Sequence, residues 1–100
     1  MVEFHPDAAE ELTLAALWYD ERCEGLGSRF LDEVERTTAH IDEQPGSGGP
    51  WLFPGLPSGV RRMQVRGFPF WVVYVIRANV VVVAIAHQRR RPDYWATRLG

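Results

Sequence analysis

Lysine is missing from this chain altogether, so all eleven basic residues are arginine. A compositional bias explains this more simply than selection of arginine for bidentate phosphate contacts. Cysteine is nearly missing too: Cys23 stands alone, which excludes an internal disulfide and a cysteine-rich zinc site, suits a reducing compartment, and reads as a small, partly buried hydrophobe. There is no long apolar stretch. The runs at 70–76 and 80–86 fall well short of the roughly 18 residues a membrane span needs, and MVEFHPDAAEEL at the start has neither a basic opening nor an apolar segment. A cytoplasmic protein with no targeting segment is the expectation. Phosphate-loop and dinucleotide motifs are absent, and Ser28 and Ser58 carry no nucleophile signature. His5 and His40 lie in the acidic half without metal-ligand spacing, so neither a cofactor nor a metal is expected.

Acids are scarce in the second half, and this asymmetry is the strongest compositional signal. Residues 1–44 hold twelve of the thirteen acids against three arginines, net −9, while residues 45–100 hold eight arginines against Asp93, net +7. A formal net charge of −2 therefore does not exclude a polyanionic partner, because local fields act over about 10 Å at moderate salt. One hundred residues with 46% hydrophobic side chains suffice for one core, so residues 1–100 read as a single domain.

Val2 and Phe4 alternate with Glu3, which predicts a short opening strand. Pro6 and the acids Asp7, Glu10 and Glu11 then mark a helix start. Ala8, Leu12, Ala15 and Tyr19 form its apolar stripe, up to about Cys23 and the breakers Gly25 and Gly27. A second helix is predicted from an N-cap at Ser28 to Glu43, with Phe30, Val34, Thr37 and Ile41 inward. The acids of this hairpin read as a solvated outer face. Residues 45–59, with five glycines and four prolines, read as a loop whose Trp51, Leu52, Phe53 and Leu56 pack back on the domain. Three strands follow at about 60–66, 69–77 and 79–87. The last shows no alternation, as in a strand covered on both faces or a central one. The class is α+β, β-α-α-β-β-β: a short strand, then an antiparallel helix hairpin packed on a small antiparallel sheet, with a short C-terminal tail or helix.

Candidate site residues concentrate in the basic half. Arg61, Arg62 and Arg66 sit on or beside the first strand of the meander, and Arg89, Arg90, Arg91 and Arg98 in the tail, with Tyr94 and Trp95 able to stack or anchor. Such a set fits a surface for nucleic acid or an acidic protein, and equally a solvated strand face with a tail held by Trp95. RNA cleavage needs a base near neutral pKa. His87 is the one histidine here, with Arg62 as phosphate donor and Tyr94 as a weak acid. A structural role for His87 carries more weight, and no catalytic residue is assigned. Trp18, Trp51, Phe53, Phe70 and Trp71 exceed what one small core readily hides, so some are candidates to line a groove for an amphipathic partner segment.

HPDAAEEL, YDERCEGLGSRFLDEVE, GVRRMQVRGFPFWVVYVI and VVVAIAHQRRRPDYWATR, in this order, resemble a ParE-type toxin of the RelE/ParE toxin–antitoxin superfamily, a plasmid stabilisation system toxin. The resemblance covers nearly the whole chain. It implies the helix hairpin on a sheet argued above, a co-expressed ParD-like antitoxin in a hetero-oligomer, and growth arrest through a target. RNA-cleaving relatives carry basic residues where this chain has Gln64, Trp71 and Gln88, and only Arg62 and Tyr94 match their pattern. The resemblance thus implies the branch associated with inhibiting DNA gyrase, and the basic cluster of Arg61, Arg62, Arg66, Arg89, Arg90, Arg91, Tyr94 and Arg98 is the expected target surface. A ribosome-dependent mRNA endoribonuclease and a degenerate, nontoxic binding module are the alternatives.

Overall fold

A computed structural model of the chain describes residues 2–99. His5 closes the first strand, β1 (Val2–Phe4), and caps the helix after it: its Nδ1 accepts the Asp7 N–H at 3.1 Å, and Pro6 follows at the first helical position. The helix, α1 (Pro6–Arg22), ends at the hairpin tip, which leaves Cys23 exposed rather than partly buried. The second helix, α2 (Leu26–Glu43), begins two residues before the predicted N-cap Ser28. Gly25 takes that place in a left-handed conformation, φ 86°, which a side chain would strain. Gly27 is consequently a helical residue and not a breaker. The Asp20 carboxylate accepts its N–H at 2.7 Å, and a Cβ there would stand 2.3 Å from the Ala16 carbonyl oxygen. The two helices pack as closely as they do because position 27 has no side chain.

Pro45–Ser47 form one 3-10 turn, and Gly49–Pro50 form β2, a strand where a loop was expected. Two side chains hold it there. Tyr74 donates its hydroxyl to the Pro45 carbonyl at 2.7 Å and accepts the Gly48 N–H at 2.9 Å, while Arg61 reaches the Gly46 and Gly48 carbonyls at 3.1 and 2.6 Å. The meander is β3 (Arg61–Gln64), β4 (Phe70–Ile76) and β5 (Val80–His87), the first two trimmed at both ends and the third only at its start relative to the sequence reading. The five strands of the sheet run in the order β1-β5-β4-β3-β2. β1 lies parallel to β5 and the other pairs are antiparallel, so the sheet is mixed.

β5 is covered on both faces, which accounts for its unbroken apolar sequence. On one face lie α1 and α2. Phe30, Val34 and Ile41 are fully or almost fully buried against Val72, Val82 and Ile85. Phe30 meets Tyr19, Phe68 and Phe70 with ring centroids 5.3, 5.1 and 5.0 Å apart. On the other face Val60, Val73, Val83 and Ala84 are covered by Trp51 and Leu56 of the loop and by the tail, whose Trp95 is 0% exposed, whereas Leu52 and Phe53 of the same loop are exposed and do not pack back as expected. Each such aromatic contributes about 2–3 kcal/mol through apolar burial.

Candidate functional site

In the register of the meander Gln64 faces Trp71 and Phe70 faces His87, so the end of β3, the start of β4 and the end of β5 share one end of the sheet. The Gln88 side chain donates to the Gln64 side chain across the start of β4, and the Gln88 N–H reaches the Pro69 carbonyl at 2.9 Å. Arg66 leaves this end from β3, and Arg89, Arg90 and Arg91 leave it from β5. All four are exposed. The guanidinium groups of Arg66 and Arg89 have no hydrogen-bond or ion-pair partner among the described residues, although Arg66 lines a cleft that also holds Asp32 and Glu33. Arg91 lies 3.4 Å from Asp93 in a solvent-exposed pair, which holds it only weakly. Arg90 rests 3.7 Å from the centroid of the Tyr94 ring.

The other candidate arginines are committed within the fold. Arg61 holds β2. Arg62 is inserted between Trp51 and Trp71, 4.2 Å from each ring centroid. Arg98 is 13% exposed at its side chain. It pairs in bidentate fashion with Glu11, at 3.0 and 3.1 Å, lies 3.6 Å from Asp7, and donates to the Val83 carbonyl at 3.0 Å. Opposite charges of the two halves thus meet at this point, and Glu11 belongs to the interior rather than to a solvated outer face.

Glu11 is the residue that sequence reasoning missed. Its two carboxylate oxygens accept from Arg98, from the Tyr94 hydroxyl at 2.8 Å and from the Ile85 N–H at 3.1 Å. Pairing of β1 with β5 stops at Val82, and Val83 is the skipped residue of a bulge, between the pairs Val73–Ala84 and Tyr74–Val82. Backbone groups just beyond that point are therefore satisfied by Glu11 and Arg98 instead of by a strand. Burial first, and then the hydrogen bond and charge of Glu11, push the Tyr94 phenol well above its ordinary value, while Arg90 and Arg98 pull the other way. Burial alone would lower Arg98; the hydrogen bonds and charge of Glu11 outweigh it and keep the guanidinium charged. The helical spacing Ala8, Glu11, Ala15 was the available signal, since it sets Glu11 beside the apolar stripe.

His87, Arg62 and Tyr94 do not converge. The His87 ring stands edge-on to Phe70 at 5.1 Å on the helix side of the sheet, and its Nδ1 accepts the Arg89 N–H at 3.1 Å. Arg62 and Tyr94 pack with the cluster on the opposite face. The candidate partner-binding aromatics split in the same way. Trp18 and Phe70 line an apolar groove of about 580 Å³ with Leu14, Tyr19, Pro69 and His87. Trp51 and Phe53 line a shallower depression in the 51–58 loop, and Trp71 clasps Arg62. Among the described residues no group of three histidine, cysteine or acidic side chains stands close enough to hold a metal ion, and no helix is long and apolar enough to cross a membrane.

The chain is thus a small α+β protein, a helix hairpin on a five-stranded sheet, with exposed arginines at one sheet end and an apolar groove lined by Trp18 and Phe70. Residues 2–92 match the family described as ParE toxin of type II toxin-antitoxin system, parDE, and the chain belongs to that family. No curated protein matches it. Membership makes it a toxin of the type II toxin–antitoxin class and implies an antitoxin partner.

Proposed function

We propose that the protein arrests growth by binding DNA gyrase through Arg66, Arg89, Arg90 and Arg91, and that a co-expressed antitoxin silences it. The observation that carries this reading is the division among the arginines. Those at the shared end of β3 and β5 are exposed, with Arg66 and Arg89 unpaired among the described residues, Arg91 in a solvent-exposed pair and Arg90 resting on the Tyr94 ring, whereas Arg61, Arg62 and Arg98 are engaged within the fold. Free, solvated guanidinium groups are what an electrostatically steered contact with an acidic surface requires. A nuclease is less well served. Gln64, Trp71 and Gln88 place no cation beside Arg62, and Arg62 itself is enclosed by two indoles. Loss of one phosphate-stabilising donor typically costs about 10²-fold or more in rate. For the antitoxin, the groove between Trp18 and Phe70 suits the apolar side of an amphipathic segment, and acidic residues beside it would cover the arginines.

Replacing Arg90 and Arg91 together with alanine tests the target surface. Growth arrest on induction should disappear while the melting temperature of the purified protein changes by no more than a few degrees, since both side chains are exposed. Arrest that survives the double change overturns the assignment of these residues. Induction of the unchanged gene separates the mechanisms: filamentous cells with broken DNA support gyrase, early loss of mRNA supports a nuclease, and neither outcome points to a nontoxic binding module.

A further inference from the structure

The arginines of the 88–92 turn hang between two anchors. On the β5 side the turn is closed by backbone and ring contacts: the Arg90 N–H donates to the His87 carbonyl at 3.0 Å and the Arg89 N–H to the His87 ring. On the tail side the Arg90 guanidinium rests on the face of the Tyr94 ring and has no hydrogen-bond or ion-pair partner among the described residues. That ring is fixed in turn by its hydroxyl, which donates to Glu11 on α1, 83 positions away in the chain. Glu11 is itself immobilised by the bidentate Arg98 pair and by the Ile85 N–H. An unbroken set of contacts therefore runs from a helix on one layer to a cation on the exposed rim.

We infer that Glu11 is a positioning residue for the target surface, holding the Tyr94 ring through its hydroxyl so that the Arg90 guanidinium is presented in one pose. The inference rests on the reading of Arg90 as a target contact. Its physical basis is preorganisation: an arginine loses rotamer freedom on binding, and a ring already in place beneath it reduces that loss beforehand. Tyr94 is thus a support for the contact and need not touch the target. A phenol pushed toward its neutral form also keeps the hydroxyl proton on the bond to Glu11 across the physiological range.

A double-mutant cycle on purified protein binding to gyrase tests this. Tyr94→Phe keeps the ring and removes only the hydroxyl, so the fold survives where Glu11→Ala would loosen it. Arg90→Ala should weaken binding by about tenfold, as for an interface arginine that matters. Tyr94→Phe should weaken it by about three- to fivefold, and should add almost nothing in the Arg90→Ala background. Glu11→Gln should behave like Tyr94→Phe and be equally silent without Arg90. A general loss of structure would lower affinity by the same factor in both backgrounds, so multiplicative effects overturn the inference while leaving the target surface intact. If Arg90→Ala alone changes nothing, the reading of the surface fails, and the role of Glu11 fails with it.

Discussion

The two faces of the sheet are covered in different ways. The helix side is a regular layer in which Phe30, Val34 and Ile41 of α2 and Ala8 and Ala16 of α1 meet β4 and β5 through apolar contacts alone. The opposite side is covered by irregular chain, the 51–56 loop and the tail, and is fastened by polar groups: Arg62 between Trp51 and Trp71, and Glu11 with Tyr94 and Arg98. Apolar burial is non-directional and tolerates sliding, whereas a bidentate ion pair fixes register and orientation. The helix layer accordingly holds the fold, and the tail layer fixes the Tyr94 ring on which Arg90 rests. One polar group in that second layer lacks a partner among the described residues, the Trp95 indole N–H, which detracts from the favourable burial of its ring.

The largest effect that separates the layers should come from Phe30→Ala. Its ring is fully buried and touches three other aromatic rings, so the cavity should cost about 4 kcal/mol, a large part of the stability of a domain this size. Urea denaturation should show the midpoint falling for the helix and tail layers together. A loss below about 1 kcal/mol would mean the helix layer is not the foundation described above.

Glu11→Ala should act more locally. Arg98 would be left 13% exposed with only Asp7 nearby at 3.6 Å, and the Ile85 N–H and Tyr94 hydroxyl would lose their acceptor. Breaking a buried pair costs about 3–5 kcal/mol, and the remaining carboxylate and partial solvent access reduce this to about 2–3 kcal/mol. Amide exchange should accelerate in residues 88–99 before it does in α2. Uniform acceleration across both layers would dissolve the distinction between them.

The same contrast explains what could be read from the sequence. The inward residues of both helices, the opening strand, the three-stranded meander and the double covering of β5 follow from periodicity and burial, because the helix layer obeys a repeating pattern. The tail layer has no period. That Arg62 would sit between two tryptophans twenty residues apart, that Glu11 would bind a side chain 87 positions away, and that Gly49–Pro50 would join the sheet depend on contacts that only the assembled fold brings together. Gly27 was misread for a related reason. Its meaning lies in the distance to Ala16 and Asp20, and composition treats any glycine near a helix end as a stop. For the site, the arginine cluster was visible, but which members had partners was not, since guanidinium groups are alike in sequence and differ only in what faces them.

The smallest effect is a pH dependence that again distinguishes the layers. Tyr19 on the helix side and Tyr94 on the tail side both have phenols raised above 10.0, the first by burial and the second by burial together with Glu11. A phenol whose folded pKa exceeds its unfolded value favours the folded state while it is neutral. Its contribution is therefore complete below the unfolded pKa of about 10 and is lost as pH rises above it. Stability from urea titrations should be flat with respect to these two groups from pH 7 to about 9 and should decline beyond about 10. Tyr94→Phe should flatten the alkaline decline more than Tyr19→Phe, because Glu11 adds a hydrogen bond and a negative charge that solvated phenolate in the unfolded chain does not meet. Equal slopes in the two variants would mean that the Glu11 contact is too loose to sense the proton, and the tail layer would then be held by Trp95 burial and the Arg98 pair alone.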